Sequence, residues 1–336
     1  MQMKNTKNIL LFMLCVFIIT SSLYSAIIKI GSIAPDKSPW DKAIRKMGRE
    51  WKKISGGKIQ IKVYAGGTVG DESDMIRKMR MGALGGAALT NMGITRIYQD
   101  AYVLNTPLLI TSEKELEYVL GKMKPLFEKG IETKKFKVII WTLTGWINFF
   151  TKNKVIYPKD LMKHKISFSR GMPKMEQAWK KAGYHVVPND LKDLMMALQS
   201  GMVDACYMPP LIAASGQYFA QAPNMCALKI APLLGGIVLT ERAWEKIPEQ
   251  YKEQMLAIAQ KISEELYDEI VLLEQDAIET MKKNGLTINQ VPNDVVKQWQ
   301  ATSAKGMDVL VGKAFSKEIY DQLVQHLKEY RKSHEN

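Results

Sequence analysis

From Pro248 to Lys283 the chain runs without a glycine or an internal proline, and this stretch constrains the fold more than any other feature. Met255, Ile258, Ile262, Leu266, Ile270, Leu273, Ala277 and Met281 recur at steps of three and four, the spacing that lines one face of a helix. At the rise of an α-helix the segment is about 54 Å long, more than one small α/β lobe can cover. A helix over about 248–283 that braces two lobes is expected. At 336 residues the chain also exceeds what one core usually supports.

Upstream, strand and helix patterns alternate. Ile28, Ile30 and Ser32 share one side of a strand. Ser38 and Pro39 read as an N-cap and first helical position, followed by Trp40, Ile44, Met47, Trp51 and Ile54 on one helical face up to Gly56-Gly57. Ile59, Ile61 and Val63 alternate, Gly66, Gly67 and Gly70 turn the chain, and a helix carrying Met75, Ile76, Met79 and Leu84 leads to a strand at Ala87–Thr90. This is a βαβ pattern. A second such unit takes strands near Val138–Leu143, Ile166–Ser169, Tyr184–Val187 and Met202–Tyr207, with a helix over Met175–Ala182. Asp190 is expected to cap a further helix, in a box with Asp193, that buries Leu191, Leu194, Met195 and Leu198. No low-complexity linker separates the units, so two cross-connected lobes are expected rather than beads. Residues 26–146 plus about 236–265 would form lobe I, and 147–235 plus about 266–330 lobe II.

Lys4 and Lys7 precede a charge-free run from Ile9 to Thr20, with small residues at Ser25-Ala26. A basic start, an apolar stretch of about 7–15 residues and a small-residue exit describe a secretory signal, whereas a spanning helix needs about 20 apolar residues. Residues 1–25 are therefore read as a signal peptide. Cys15 lies inside the apolar run behind bulky Phe12, Met13 and Leu14, so a lipid anchor is not favoured. The formal charge of +13 falls to +11 with the loss of Lys4 and Lys7. The remaining basic residues are scattered through amphipathic segments, a solvated surface rather than a nucleic-acid footprint. Cys206 and Cys226 stay in the mature chain, read as two buried thiols in a compartment that would permit a disulfide.

Catalytic patterns are missing. His164, His185, His326 and His334 are far apart, and no HExxH or CxxC motif suggests a metal. There is no GxSxG elbow and no phosphate loop, and Gly66, Gly67 and Gly70 do not make a dinucleotide fingerprint. No cofactor and no reaction are indicated, although a catalytic site assembled from distant residues would leave no local motif.

Several segments carry a resemblance. IKIGSIAPDKS (Ile28–Ser38) followed by Pro39-Trp40, and IQIKVYAGGTVGDESDMIRKMRMGAL (Ile59–Leu84), resemble the solute-binding subunits of tripartite ATP-independent periplasmic (TRAP) transporters. TGWINFF (Thr144–Phe150), YPKDLMKHKISF (Tyr157–Phe168) and ALQSGMVDA (Ala197–Ala205) continue the match in consistent order. The resemblance implies a two-lobed α/β periplasmic-binding-protein-like fold closing on a small molecule in the cleft. It implies a periplasmic protein that delivers this ligand to the membrane subunits of a TRAP permease; for its oligomeric state a monomer is only the default expectation. Some relatives also work with a helical-repeat (TPR-like) accessory protein. A non-transport sensor or scaffold on the same fold, and less so an enzyme, are the competing readings.

The family generally clamps organic acids, and its pattern breaks here at three positions. Ser167 stands where an arginine forms a two-point salt bridge with carboxylate. Ile147 stands where a second arginine usually follows the glycine of TGW, and Met208 where an asparagine is usual. Arg170 could substitute only if the strand ended near Ser169 and Gly171 permitted a turn. A ligand other than a simple carboxylate, hydrophobic or amphipathic, is expected against Trp146, Ile147, Ser167, Tyr207, Met208 and Tyr218, with Arg170 at the rim.

Overall fold

The computed structural model describes Ser25–His334. The signal segment expected over residues 1–25 lies outside the described residues but for its last position. Eleven strands form two sheets. The first contains β1 (Ala26–Ser32), β2 (Ile59–Tyr64), β3 (Gly86–Thr90), β4 (Phe136–Trp146) and β10 (Pro232–Thr240), in the order β2-β1-β3-β10-β4. The second contains β5 (Asn148–Thr151), β6 (Lys165–Phe168), β7 (His185–Pro188), β8 (Ala205–Met208), β9 (Asn224–Cys226) and β11 (Thr287–Asn289), in the order β11-β9-β5-β8-β6-β7. β1 is parallel to both β2 and β3, whereas β10 runs antiparallel between β3 and β4.

The first helix starts as read from sequence, and the later starts differ from that reading. Ser38 Oγ accepts from the Asp41 amide with Pro39 in the first turn, and Ile44, Met47 and Trp51 are buried beneath that helix. Asp71 caps the next helix by accepting from the Asp74 amide. Asp190 does not act as a cap: a 3-10 turn, Leu191–Asp193, intervenes before the helix Leu194–Gln199, and no side chain closes either start. Leu191 is 57 % exposed instead of buried. β8 begins at Ala205, because Gly201 (φ +70) and the exposed Met202 still belong to the turn.

Two strand crossings join the sheets. Ile147 alone separates β4 from β5, and Ala227–Ala231 separates β9 from β10. The crossings are stitched together, since the Ile147 amide donates to the Ala231 carbonyl (3.0 Å) and the Ile230 amide to the Ile147 carbonyl (2.8 Å).

The helix Glu249–Lys283, 35 residues, spans the join. It packs on the helix Pro39–Ile54 and on β4 in the first lobe, then on the helix Pro210–Ser215 in the second. Trp51 Nε1 donates to the Met255 carbonyl (3.0 Å) and Ser263 Oγ to the Trp141 carbonyl (2.9 Å). Of its apolar stripe, Met255, Ile262, Leu266, Ile270, Ala277 and Met281 are buried, while Ile258 and Leu273 are half-buried.

The final helix, Lys317–Ser333, was expected with lobe II but packs on Glu113–Glu132 of lobe I. Arg331 anchors it, with Nε 2.7 Å from Glu115 Oε1 and Nη2 donating to the Leu109 carbonyl at 2.7 Å. Burial opposes ionisation of Glu115, but Arg331 and the Thr111 amide outweigh it and hold the carboxyl below its ordinary range. Among the described residues both cysteines are free. They lie on β8 and β9, which flank β5 on opposite sides, so two strand spacings of about 4.8 Å hold them apart.

Candidate functional site

The parallel strands of both sheets point their carboxyl ends at the join, the position where open α/β sheets hold ligands. There the lobes enclose a cavity of about 360 Å³. Its floor is the crossing itself: Ile147, Ile230, Ala231 and Leu233. Lobe I contributes Glu72, Thr90, Asn91, Met92, Tyr102 and Asn105. Lobe II contributes Ser167 and Ser169 from the end of β6, Asn189 after β7, Tyr207 and Met208 from β8, and Met175 and Trp179 from the helix Pro173–Lys181.

Side-chain orientation follows from local structure. Thr90 caps the helix Asn91–Ile97 by accepting from the Met92 amide, and its own hydroxyl donates to Glu72 Oε2 (3.0 Å). The Thr90 amide donates to the other oxygen of Glu72. Burial pushes the Glu72 carboxyl above its ordinary range; the Thr90 hydrogen bonds and the charge of Arg96 offset this only in part. Asn189 Nδ2 donates to Ser167 Oγ (3.2 Å), so the serine is held by a neutral partner. Tyr207 lies beside Trp179, ring centroids 6.3 Å apart, and burial raises its phenol. Cys206 also lines the cavity, and burial pushes its thiol up to about 12, which leaves it protonated and unreactive at neutral pH.

Four of the residues singled out from sequence therefore meet in one place: Ile147, Ser167, Tyr207 and Met208. Three do not. Trp146 faces the opposite side of the crossing, because neighbours along an extended chain point oppositely. There it lines a second cavity of about 180 Å³ with Glu113, Lys229, Tyr267 and Glu274, and the Lys229 ammonium sits 5.1 Å from its ring centroid. Arg170 meets both conditions set for it, since β6 ends at Phe168 and Gly171 adopts φ +91. The turn nevertheless carries it outward. Its side chain is 65 % exposed and pairs with Asp190 at 3.6 Å. Tyr218 packs with Phe219 against the cluster beneath lobe II, its hydroxyl 3.4 Å from the Leu191 carbonyl.

The lining also contains residues that the sequence reading passed over. Tyr102 and Asn105 come from a 3-10 turn, Gln99–Asn105, and Asn91 from a helix start. The available signal was a lone asparagine inside the apolar run AYVLNTPLLI, since buried polar residues are the informative exceptions. An outer groove of about 640 Å³ adjoins the cavity through Met92, Tyr102, Met172 and Met175 and carries Arg96, Lys134 and Lys174. All three of these cations are on exposed side chains.

Two α/β lobes, two stitched crossings, a bracing helix and an interlobe cavity define a periplasmic-binding-protein fold. The profile of the family described as bacterial extracellular solute-binding protein, family 7, matches residues 30–314. The chain belongs to that family, the TRAP periplasmic solute-binding proteins, which bind for transport and do not catalyse reactions. A solute-binding protein of Roseobacter denitrificans is 22 % identical over 270 residues, covering 79 % of this chain and 81 % of its own. Among solved structures, the fold is shared with a TRAP periplasmic solute-binding protein of Pseudomonas putida holding D-glucuronate (TM-score 0.78, 20 % identity, covering 90 % of this chain and 96 % of that one). It is shared also with one of Desulfovibrio salexigens holding orotic acid (TM-score 0.81, 15 % identity, covering 92 % and 99 %). Among the described residues no helix is long and apolar enough to cross a membrane, and no cluster of side chains is arranged to hold a metal ion.

Proposed function

We propose that this protein captures an amphipathic solute without negative charge between its lobes, in the periplasm, and hands it to the membrane subunits of a TRAP-type permease. One observation carries the ligand class: no lysine, arginine or histidine is among the residues lining the interlobe cavity. Its one ionisable carboxyl is Glu72, which supplies no positive charge to meet an anion. A solute carboxylate there would be buried without a cation, at a cost of about 3–5 kcal/mol. That corresponds to roughly two to four decades of affinity. Of the outer-groove cations, Arg96 is already opposed by Glu72, and Lys134 and Lys174 are exposed and solvent-screened, so together they compensate little. The relatives that hold glucuronate and orotate bind acids; by this reading the present chain departs from them while keeping their fold.

Native mass spectrometry of gently purified mature protein, followed by extraction and identification of the bound molecule, tests the proposal. The expected result is a neutral or cationic amphipathic molecule. A carboxylate as the retained molecule, or saturable binding of D-glucuronate in isothermal titration, would overturn it.

A further inference from the structure

We infer that Ser167 and Asn189 form a hydroxyl-reading pair on the lobe II wall, which selects, among uncharged amphipathic solutes, one that carries an alcohol group. This rests on the non-anionic reading of the cleft and adds to it which polar group the solute presents.

The strands bring the two side chains together. Ser167 lies near the end of β6, and Asn189 directly follows β7, its parallel neighbour. The Asn189 amide donates to the Phe168 carbonyl at 2.8 Å, which pins the asparagine beside the strand end. Both residues line the cavity, at 9 % and 4 % exposure, and Asn189 Nδ2 lies 3.2 Å from Ser167 Oγ. Among the described residues the Ser167 hydroxyl donates to no protein acceptor. Asn189 Oδ1 likewise receives no protein donor, and unlike Asn105 Oδ1 across the cavity it is not closed over by protein. Buried polar groups in folded proteins are almost always paired, so a pair with capacity to spare on a cavity wall is completed by what enters.

That spare capacity does not depend on which way the amide points. With Nδ2 toward the serine, the Ser167 hydrogen and Asn189 Oδ1 are left over; with Oδ1 toward it, a Ser167 lone pair and Nδ2 are left. Either way the pair offers one donor and one acceptor side by side. An alcohol answers both with a single oxygen. An ether or ketone only accepts and an ammonium only donates. A carboxylate only accepts, and it brings a charge that no lining cation meets. The rest of this wall is largely apolar, with Met175, Trp179, Leu194, Met208 and Ile212 available to the hydrocarbon body of the solute.

Three probes test this in isothermal titration with the mature protein: 1-octanol, its isomer 1-methoxyheptane, and n-octanoate. Leaving water costs an alcohol more than an ether, so a cavity without such a pair favours the ether. Wild type is expected to bind octanol at least about fivefold tighter than the ether. The double variant Ser167→Ala/Asn189→Leu replaces both partners by apolar groups, a change that leaves stability nearly unaltered. In it the order should reverse, with the ether bound at least as tightly as by wild type. Where that variant folds poorly, the side-chain amide signals of Asn189 in nitrogen-15-labelled wild type replace it; they should move further with octanol than with the ether. Equal or tighter binding of the ether by wild type, with octanoate excluded, would overturn the pair and leave the non-anionic reading standing. Octanoate as the tightest probe would overturn that reading and this inference together. An octanol preference that survives in the double variant, or Asn189 signals that octanol does not move, would show that another group reads the alcohol and would also overturn the inference.

Discussion

The two sides of the hinge are built on the same backbone and have opposite chemistry. Trp146 and Ile147 are adjacent, yet one faces the rear cavity and the other the ligand cleft. The rear cavity is charged. Lys229 Nζ lies 2.7 Å from Glu113 Oε1, and Glu274 stands nearby on the bracing helix, close to Gly145 on β4. The cleft in front holds amides, hydroxyls, methionines and one carboxyl. The difference teaches that a protein of this kind can keep ionisable groups at its hinge while leaving its ligand site free of cations. Hinge electrostatics and ligand selection are then separable, and substitutions on each side should move different observables.

The largest effect is expected in front. Met208→Asp would bury a second carboxyl in the cleft and should lower affinity for the retained solute by roughly two decades or more. Met208→Leu, which conserves volume, should keep it. Retention of solute by Met208→Asp in native mass spectrometry would break the comparison, since the cleft would then tolerate charge. On the strand shared by both sides, Gly145→Ala should destabilise the protein by about 1–3 kcal/mol. Gly145 has φ +134, and a Cβ there would meet Pro209 Cβ at 2.9 Å and Glu274 Oε2 at 3.0 Å. Urea unfolding measures this, and a wild-type midpoint would show that the hinge has slack.

A smaller and purely rear effect belongs to Glu274. Burial raises its carboxyl to about 7, with Lys229 opposing and Glu113 reinforcing the shift. Its folded pKa lies above the unfolded value of about 4.3. Stability is therefore fully present below that value and declines as pH rises through about 7. Glu274→Gln should remove this decline, raising stability at pH 8 by roughly 1–2 kcal/mol after solvent screening, with little change at pH 4 and none in ligand affinity. Thermal melts across that range check it; an unchanged pH profile would remove Glu274 from the rear side's account. The smallest effect is Tyr218→Phe. Its one long hydrogen bond, 3.4 Å to Leu191, predicts a stability change within about 0.5 kcal/mol and unaltered solute binding. A loss of binding would instead extend the cleft to Tyr218.

Much of the architecture is legible in the chain because it is written at short range. The periodicity of 248–283, the cap at Ser38 and the alternation at Ile28 and Ile59 each report a local preference, and each element forms as read. Ile147, Ser167 and Met208 were reached through positions in a family pattern, and they line the cleft. Trp146 and Tyr218 were not placed correctly because an aromatic reads the same in sequence whether it faces a cavity or a core. Arg170 shows the limit more sharply. Its strand and glycine turn are as anticipated, but whether the turn aims inward depends on Asp190, twenty residues away and across the β6–β7 pair.

The sequence by itself determined the elements, the two-lobed α/β class and the family, since hydrophobic period, caps and turns act over a few residues. Only the tertiary structure decided which side of the crossing each residue faces and which polar atoms are left unpartnered. Those outcomes require segments as distant as Asn105 and Pro232 to meet, and no local preference encodes the meeting.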